Sequence, residues 1–283
     1  MATFRNFATL SYNGGVLTSN TVTGELLETL SVTKVAVRNS YGAGEDLTYV
    51  ISLINSGTQP LTNLTVTDDL GGYDFAGGVV YPLAYAVGSV RYYVNGVLQP
   101  APTADAGAPL VISGISVPAG GNAIIVYEAD VTEYAPLAAA SEIVNTVTVT
   151  GGGLTTPVVA TETVTAREGA SLAISKALDP AVVTENGQIT YTFVIENYGN
   201  TAAIATDNAV LADNFDPILD PITVSYNGAV WTEGVNYTYD ATTGAFATLP
   251  GQITVPAATY EQNADGTFTV VPGVAVVVVS GTV

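Results

Sequence analysis

The chain contains two lysines, Lys34 and Lys176, and each ends an apolar strand pattern, LSVTK in the first case and LAISK in the second. Solubility does not require a cation there, because 25 acidic residues against six basic ones already give the chain a net charge of −19. Burial in an apolar core disfavours a charged ammonium group and leaves the amine free to act as a nucleophile. The pattern therefore predicts a chemical role for both side chains.

The two lysines occupy equivalent positions in two copies of one internal repeat. The segment KVAVRNSYGAGEDLTYVISLINSG (34 to 57) aligns without gaps with KALDPAVVTENGQITYTFVIENYG (176 to 199), and the later segment NLTVTDDL aligns with NAVLADNF. Asp68 then falls opposite Asp213, whereas the other acidic residues compared in the first copy fall opposite neutral ones. The overlay predicts that these two aspartates share a function.

The second copy lacks the final hairpin of the first. The first copy continues through SEIVNTVTVTGGGLTTPVVATETVTA (141 to 166), whereas the second ends in VAVVVVSGTV, an apolar run typical of a strand buried on both faces. A similar hairpin sequence (4 to 34) opens the chain and places Asn6 at the position of Asn145. We therefore expect each subunit to donate this hairpin to the open second domain of the next, and a head-to-tail contact that does not close forms a filament.

Short alternating runs of Val, Thr, Ile and Tyr, such as LTYVISLIN (47 to 55) and NTVTVTG (145 to 151), are separated by turn sequences and predict strands throughout. The predicted fold class is all-β, with two tandem immunoglobulin-like β-sandwich domains plus an N-terminal donor-strand arm. We assign residues 1–29 to the arm, 30–166 to a complete first domain, and 167–283 to a second domain that lacks its closing strands and is completed by a neighbour.

Composition and charge exclude several classes of function. Cysteine and histidine are both absent, which argues against disulfides, zinc sites with soft ligands and imidazole-based catalytic triads, so no metal or cofactor is expected. The negative charge opposes binding to nucleic acid and to acidic membranes. The start, MATFRNFATLSYNGG, has no apolar segment behind a basic one, and no apolar run reaches membrane-spanning length, so we expect neither a simple secretion signal nor membrane insertion.

In both copies the lysine precedes a Tyr-containing strand that ends in Asn-x-Gly, and a strand ending in aspartate follows. Together with Asn145 before the second copy, this order resembles the bacterial surface-protein repeat known as domain of unknown function eleven. The design is also similar to that of subunits of clostridial spore appendage fibres. The resemblance implies a structural subunit of a spore-surface or extracellular fibre that polymerises with itself, with other fibre or spore-coat proteins as further partners.

The repeat further resembles the isopeptide-forming domains of Gram-positive pilins and collagen adhesins in its residue types and their order. In such a site a neutral aspartic acid donates a hydrogen bond to an asparagine amide and moves protons as a lysine amine attacks and ammonia leaves. Beyond this single turnover, no enzymatic activity is expected. The resemblance implies the following residues: Lys34 and Asn145 for a bond within the chain, Lys176 and Asn6 for a bond between subunits, and Asp68 and Asp213 as the catalytic acids.

Ordinary structural roles are the alternative for each of these residues: a lysine whose ammonium group reaches water at a strand edge, an aspartate that forms a turn, or an asparagine at a sheet edge. Asp68, Asp69 and Asp74 could bind calcium, although the usual calcium-loop sequence is missing. Trp231 and the tyrosines near it could stack on a sugar, although aromatic residues in strands are usually core or cross-strand pairs. The alternative function is an adhesin or binding module belonging to a larger cell-surface repeat protein.

Overall fold

The computed structural model describes residues 2–26 and 29–283. Met1, Leu27 and Glu28, which belong to the predicted arm, lie outside the described residues. The described chain consists of strands, turns and one 3₁₀ turn at Ala205–Asp207, so the prediction of an all-β fold is confirmed. Within these ranges, no helix is long and apolar enough to cross a membrane.

Residues 2–26 form a long antiparallel hairpin, here called the arm. Its strands are β1 (Ala2–Asn6), β2 (Thr9–Tyr12), β3 (Gly15–Thr18) and β4 (Val22–Leu26), with β1 paired to β4 and β2 paired to β3. Asn13 and Gly14 make the turn with φ angles of 46° and 77°, a left-handed geometry that Asn-Gly sequences adopt readily. Large apolar side chains along the arm are more than half exposed: Phe4, Phe7, Leu10, Tyr12, Val16, Leu17 and Val22.

The first sandwich follows the arm and consists of two facing six-stranded sheets. One sheet has the strand order β13-β12-β16-β7-β5, with β11 also paired to β16, and the facing sheet has the order β14-β15-β8-β17-β18-β6. The short strands β9 and β10 form a separate two-stranded sheet. The strands are β5 (Leu30–Ala36), β6 (Ser40–Tyr41), β7 (Asp46–Asn55), β8 (Leu61–Asp68), β9 (Tyr73–Phe75), β10 (Gly78–Val80), β11 (Leu83–Tyr85), β12 (Arg91–Val94), β13 (Val97–Gln99), β14 (Thr103–Asp105), β15 (Leu110–Val117), β16 (Asn122–Val131), β17 (Glu142–Gly151) and β18 (Val158–Ala166).

The core of the first sandwich is built from alternate residues of its long strands. In β7 every second side chain is buried, as the alternating sequence LTYVISLIN predicts for a strand with one face on a core. Tyr41, Tyr49 and Tyr127 are the largest fully buried side chains. Full burial of a large apolar side chain stabilises a fold by about 1.5–3 kcal/mol, so this continuous core supports an independently folded unit.

The second sandwich has a five-stranded sheet of order β19-β20-β28-β22-β23 and a three-stranded sheet of order β21-β25-β24. Two further strands, β26 and β27, form a separate two-stranded sheet. The strands are β19 (Leu172–Asp179), β20 (Gln188–Asn197), β21 (Ala212–Asn214), β22 (Ile222–Tyr226), β23 (Ala229–Trp231), β24 (Tyr237–Asp240), β25 (Ala245–Thr248), β26 (Thr259–Gln262), β27 (Phe268–Val271) and β28 (Gly273–Thr282).

The two sandwiches differ at the sheet edge that β17 and β18 fill in the first. There, β8 pairs with β15 on one side and with β17 on the other, whereas the equivalent strand β21 pairs, among the described residues, with β25 alone. In the first sandwich the Ala36 amide of β5 donates to Glu162 Oε1 of β18 at 3.2 Å, and Leu30 and Lys34 of β5 are buried. The equivalent strand β19 is exposed along its whole length. The second sandwich therefore has an uncovered face.

The insertion in the second copy, β26–β27 with its turn, forms a hairpin that contacts the first sandwich; we call it the bracing hairpin. The Phe268 amide donates to the Glu133 carbonyl at 2.9 Å, and Gln262 Nε2 donates to the Tyr73 hydroxyl at 3.0 Å. A third link comes from Asn200, whose Nδ2 donates to the Leu137 carbonyl at 2.9 Å. The two sandwiches are thus joined by more than the chain that connects them.

Candidate functional site

The candidate site in the first sandwich lies between its two sheets. Lys34 on β5, Tyr49 on β7 and Tyr127 on β16 come from one sheet, and Asp68 at the end of β8 and Asn145 on β17 come from the other. All five side chains point into the core, because each occupies a buried position in the alternation of its strand. The structure therefore brings together three residues that the sequence predicts, Lys34, Asp68 and Asn145.

Hydrogen bonds connect these side chains in a chain of contacts. Lys34 Nζ donates to Asp68 Oδ2 at 2.6 Å, and the Tyr127 hydroxyl donates to the same oxygen at 2.5 Å. Asn145 Nδ2 in turn donates to the Tyr127 hydroxyl at 3.3 Å. The other carboxylate oxygen, Asp68 Oδ1, accepts the Leu70 amide at 3.1 Å. The amine, the carboxylate and the carboxamide are thus linked through one tyrosine.

Burial determines the electrostatics of this site. The side chains of Lys34 and Asp68 are both 0% exposed. Burial lowers the pKa of Lys34 below its ordinary value, and the Asp68 carboxylate opposes that shift. The Lys34 ammonium also lies 4.9 Å from the centre of the Tyr49 ring. A lysine with a lowered pKa deprotonates more readily, which is the property that an amine nucleophile requires.

Two polar atoms of the site are buried and find no hydrogen-bond partner among the described residues. They are Asn145 Oδ1 and the Tyr49 hydroxyl. An unpaired buried polar group costs about 1–3 kcal/mol, so a folded protein retains one where function or strain calls for it. The carbonyl oxygen of Asn145 is also the atom on which negative charge would develop if an amine attacked that carboxamide.

The equivalent residues of the second sandwich are arranged similarly but are open to solvent. Lys176 forms an ion pair with Asp213, and its ammonium group lies 4.4 Å from the centre of the Tyr191 ring. The side chains of Lys176 and Asp213 are 41% and 19% exposed, whereas their counterparts in the first sandwich are fully buried. The structure therefore presents a second lysine and aspartate without a covering strand.

An apolar groove of about 350 Å³ lies between β19 and the segment that leads into β21. By the overlay, β17 occupies the same position in the first sandwich. Leu172 and Ile174 on β19 are 45% and 58% exposed along the groove. The groove is lined by Leu172, Ala173, Ile174, Ile195, Ala209, Val210, Leu211, Ala212 and Ile253.

The structure places Asn6 apart from the other predicted site residues. Asn6 is the last residue of β1 and its side chain is exposed on the arm. In the described part of the chain, no hydrogen bond or ion pair joins it to Lys176 or Asp213. The predicted bond between Lys176 and Asn6 concerns two subunits and stays a prediction.

Tyr127 is the site residue that sequence reasoning missed. The alternation of residues along β16 marks Tyr127 as buried, but such a pattern does not distinguish a tyrosine that only packs from one that also donates a hydrogen bond to a buried carboxylate. The alignment of the two copies contained one indication that Tyr127 differs from other core tyrosines. The second copy has Val279 at its position, whereas Tyr49 is matched by Tyr191. A residue kept in only one copy indicates a contact that only one copy makes.

The alternative sites are explained by local structure. Asp69 Oδ1 accepts the amides of Gly71 and Thr146, which makes it a turn-forming residue. Among the described residues, no group of three or more acidic, His or Cys side chains is placed to hold a metal ion. Trp231 on β23 stacks on Tyr226 of the neighbouring strand β22, with 4.9 Å between ring centres, as a diagonal cross-strand contact.

Comparisons with known proteins give low-similarity structural matches. No protein-family model and no curated protein matches the sequence. The major pilin subunit of Bacillus cereus is similar over 95% of this chain and 73% of its own, with 12% identity and a TM-score of 0.37. A collagen-binding domain from a Staphylococcus aureus adhesin is similar over 49% of this chain and 99% of its own, with 11% identity and a TM-score of 0.30. A family 123 glycoside hydrolase from Clostridium perfringens is similar over 49% of this chain, with 10% identity and a TM-score of 0.32, and the chain spans 27% of its length. Function therefore has to be argued from the site.

Proposed function

We propose that this chain is the structural subunit of a fibre on a spore surface or in another extracellular appendage. The observation that carries the proposal is the pairing of two incomplete parts in one chain. The second sandwich has an uncovered groove at the position that β17 and β18 fill in the first, and the arm is a hairpin with exposed apolar side chains. Each part supplies what the other lacks.

Strand addition between subunits joins these parts. The arm of one subunit inserts beside β21 and β19 of the next, where β17 and β18 lie in the first sandwich. Backbone hydrogen bonds to the free edge of β21 provide affinity, and apolar side chains in the groove provide specificity. Because the contact is head to tail and does not close, it produces a filament rather than a dimer.

Isopeptide bonds then lock the fibre covalently. Within a subunit, Lys34 Nζ attacks the Asn145 carboxamide across the buried site, with Asp68 as the acid that moves protons. Between subunits, the donated arm brings Asn6 to Lys176 and Asp213, which lie at the uncovered face of the second sandwich. The buried contacts at 2.6 and 3.3 Å support the first bond, and the overlay with the first sandwich supports the second.

Electrophoresis and mass spectrometry of material boiled in denaturant test the proposal. The wild-type chain should give a ladder of covalent multimers, with branched peptides joining Lys34 to Asn145 and Lys176 to Asn6. Lys176→Ala should still form fibres by strand addition, but boiling should release monomers. Lys34→Ala is the matched control: it removes the other lysine and should leave the ladder intact.

Removal of residues 1–28 separates strand addition from cross-linking. This variant should fold its first sandwich, lose one ammonia within that domain and remain monomeric. Fibres of wild-type appearance from this variant would refute strand donation. A full-length chain that retains all its ammonia after boiling would contradict the cross-linking scheme, and one that also stays monomeric without denaturant would contradict the fibre model and favour an adhesin or binding module instead.

A further inference from the structure

Tyr127 occupies the position between the acid and the leaving group of the proposed reaction. Its hydroxyl donates to Asp68 Oδ2 at 2.5 Å and accepts from Asn145 Nδ2 at 3.3 Å. We propose that Tyr127 is a catalytic residue, which passes a proton from Asp68 to the Asn145 nitrogen that leaves as ammonia. This inference rests on the proposed function, because it concerns the bond between Lys34 and Asn145.

The chemistry requires such a group because an amide nitrogen leaves readily only after it has been protonated. Asp68 is hydrogen-bonded to the Lys34 amine at 2.6 Å, while the Tyr127 hydroxyl is the hydrogen-bond partner of Asn145 Nδ2 in the described structure. The acid is therefore placed to take a proton from the nucleophile, and the tyrosine is placed to give one to the leaving group. A relay across the hydroxyl joins the two events.

The proton balance closes without any other reactant. Lys34 gives one proton to Asp68, and the neutral amine forms a bond from Nζ to Cγ of Asn145. Tyr127 gives its proton to Nδ2 and takes the proton of Asp68, the bond between Cγ and Nδ2 breaks, and ammonia leaves. Asp68 then takes the second proton of Nζ and ends neutral. The ion pair and carboxamide become a secondary amide, a carboxylic acid, and ammonia.

Packing holds the Tyr127 ring in the orientation that the relay requires. The Tyr127 ring stacks on the Tyr49 ring, with 5.5 Å between ring centres. The Tyr85 ring is tilted against it, with 6.5 Å between ring centres. Burial, reinforced by the Asp68 carboxylate, raises the pKa of Tyr127 well above its ordinary value. The hydroxyl therefore keeps its proton at neutral pH and can act as a donor.

The second sandwich lacks this relay. Val279 takes the position of Tyr127, paired to Tyr191 across β28 and β20 as Tyr127 is paired to Tyr49. In that sandwich Asp213 Oδ2 accepts a hydrogen bond from Lys176 Nζ, and in the described structure no tyrosine hydroxyl donates a second one to it. We therefore expect the Lys34 bond to form faster than the Lys176 bond.

The test follows ammonia loss with time in the full-length chain made by cell-free synthesis. An Asn6→Ala background blocks the bond between subunits, so each ammonia lost reports the Lys34 bond. Tyr127→Phe should retain the thermal unfolding midpoint of its parent within a few degrees, yet form the bond about a hundredfold more slowly, a typical contribution of general acid–base catalysis. Tyr85→Phe, which alters the same aromatic cluster, is the matched control and should react at the parental rate.

A second variant distinguishes the effect of the Tyr127 proton from a packing defect in the phenylalanine variant. Difluorotyrosine at position 127 keeps the ring and the hydroxyl but changes its acidity, so the rate should change severalfold if that proton moves in the rate-limiting step. Parental rates for both the phenylalanine and the difluorotyrosine proteins would overturn the role of Tyr127 and leave the bond itself established. No ammonia loss in the parent would overturn the bond and this inference together.

Discussion

At the scale of single residues, the two lysines differ in burial although their sequences match. Lys34 pairs with Asp68 in a dry core, whereas Lys176 makes the same pair at the surface. Breaking a buried ion pair leaves an uncompensated charge in the core, whereas breaking an exposed pair leaves a solvated one. The same substitution should therefore have different effects in the two sandwiches.

In an Asn145→Ala background, which cannot form the proposed internal bond, Lys34→Met should destabilise the first sandwich by about 3–5 kcal/mol. Lys176→Met should cost the second sandwich about 0.5 kcal/mol, because that pair is partly solvated. In denaturant unfolding, circular dichroism measures the free energy of unfolding of the first sandwich. Fluorescence of Trp231, which lies on β23, measures that of the second sandwich. Equal costs would show that burial does not distinguish the two sites.

Tyr49 gives a prediction about alkaline pH. Burial raises its pKa, so the folded state keeps a proton that the unfolded state releases above about pH 10. The unfolded state then binds fewer protons, and the stability of the first sandwich falls as pH rises above that value. In the Asn145→Ala background, the Tyr49→Phe variant should lose less stability than its parent between pH 9 and 11, a range that lies within about one pH unit of the ordinary tyrosine pKa.

The measurement is urea unfolding at a series of pH values, with Tyr12→Phe on the exposed arm as the control. At neutral pH, Tyr49→Phe should be about 1 kcal/mol more stable than its parent, because it removes a buried hydroxyl that has no partner in the described structure. A variant with the same alkaline slope as its parent would contradict the assignment.

At the scale of elements, the alternation of apolar and polar residues predicted where the strands lie but not all of the contacts between them. The run LTYVISLIN was predicted as a strand over 47–55, and β7 spans Asp46–Asn55, because one face meets the core and turn residues flank it. The resemblance to isopeptide-forming domains predicted the proximity of Lys34, Asp68 and Asn145, and the alignment of the two copies selected Asp68 as the acid. The docking of the bracing hairpin could not be predicted, because it depends on the approach of separate elements and leaves no periodic signal; the Tyr127 contact left only the difference between Tyr127 and Val279 in the aligned copies.

The arm offers a test of register. Aligning Asn6 with Asn145 puts Leu10 opposite Val149, which is buried, and Thr9 opposite Thr148, which is not. Leu10→Asp should therefore abolish fibre assembly, because burying an unpaired carboxylate in the groove costs several kcal/mol, whereas Thr9→Asp should assemble normally. Turbidity and negative-stain electron microscopy measure this, and the reverse ranking would mean that the arm presents its other face.

At the scale of the whole molecule, the bracing hairpin fixes one sandwich against the other. Replacing the hairpin tip, residues 263–267, with a two-glycine turn keeps the Gln262 and Phe268 contacts and serves as the control. Replacing residues 260–270 with a short glycine-serine linker removes both contacts and should broaden the distribution of angles between the sandwiches. Small-angle scattering of the arm-deleted chain measures this, and identical profiles for the two variants would show that the hairpin does not restrain the angle.

The bracing hairpin belongs to the second copy alone, since in the first the equivalent sequence passes directly from ISVPAG to GNAII. Along the proposed fibre, the joint inside each subunit is therefore clamped, while the joint between subunits is left to the donated arm. Bending should be concentrated at alternate joints, so that the fibre behaves as stiff rods two sandwiches long, linked by compliant couplings. Its persistence length would then be governed by the subunit boundary, and the proposed covalent bond at that boundary would resist tension without making the fibre rigid.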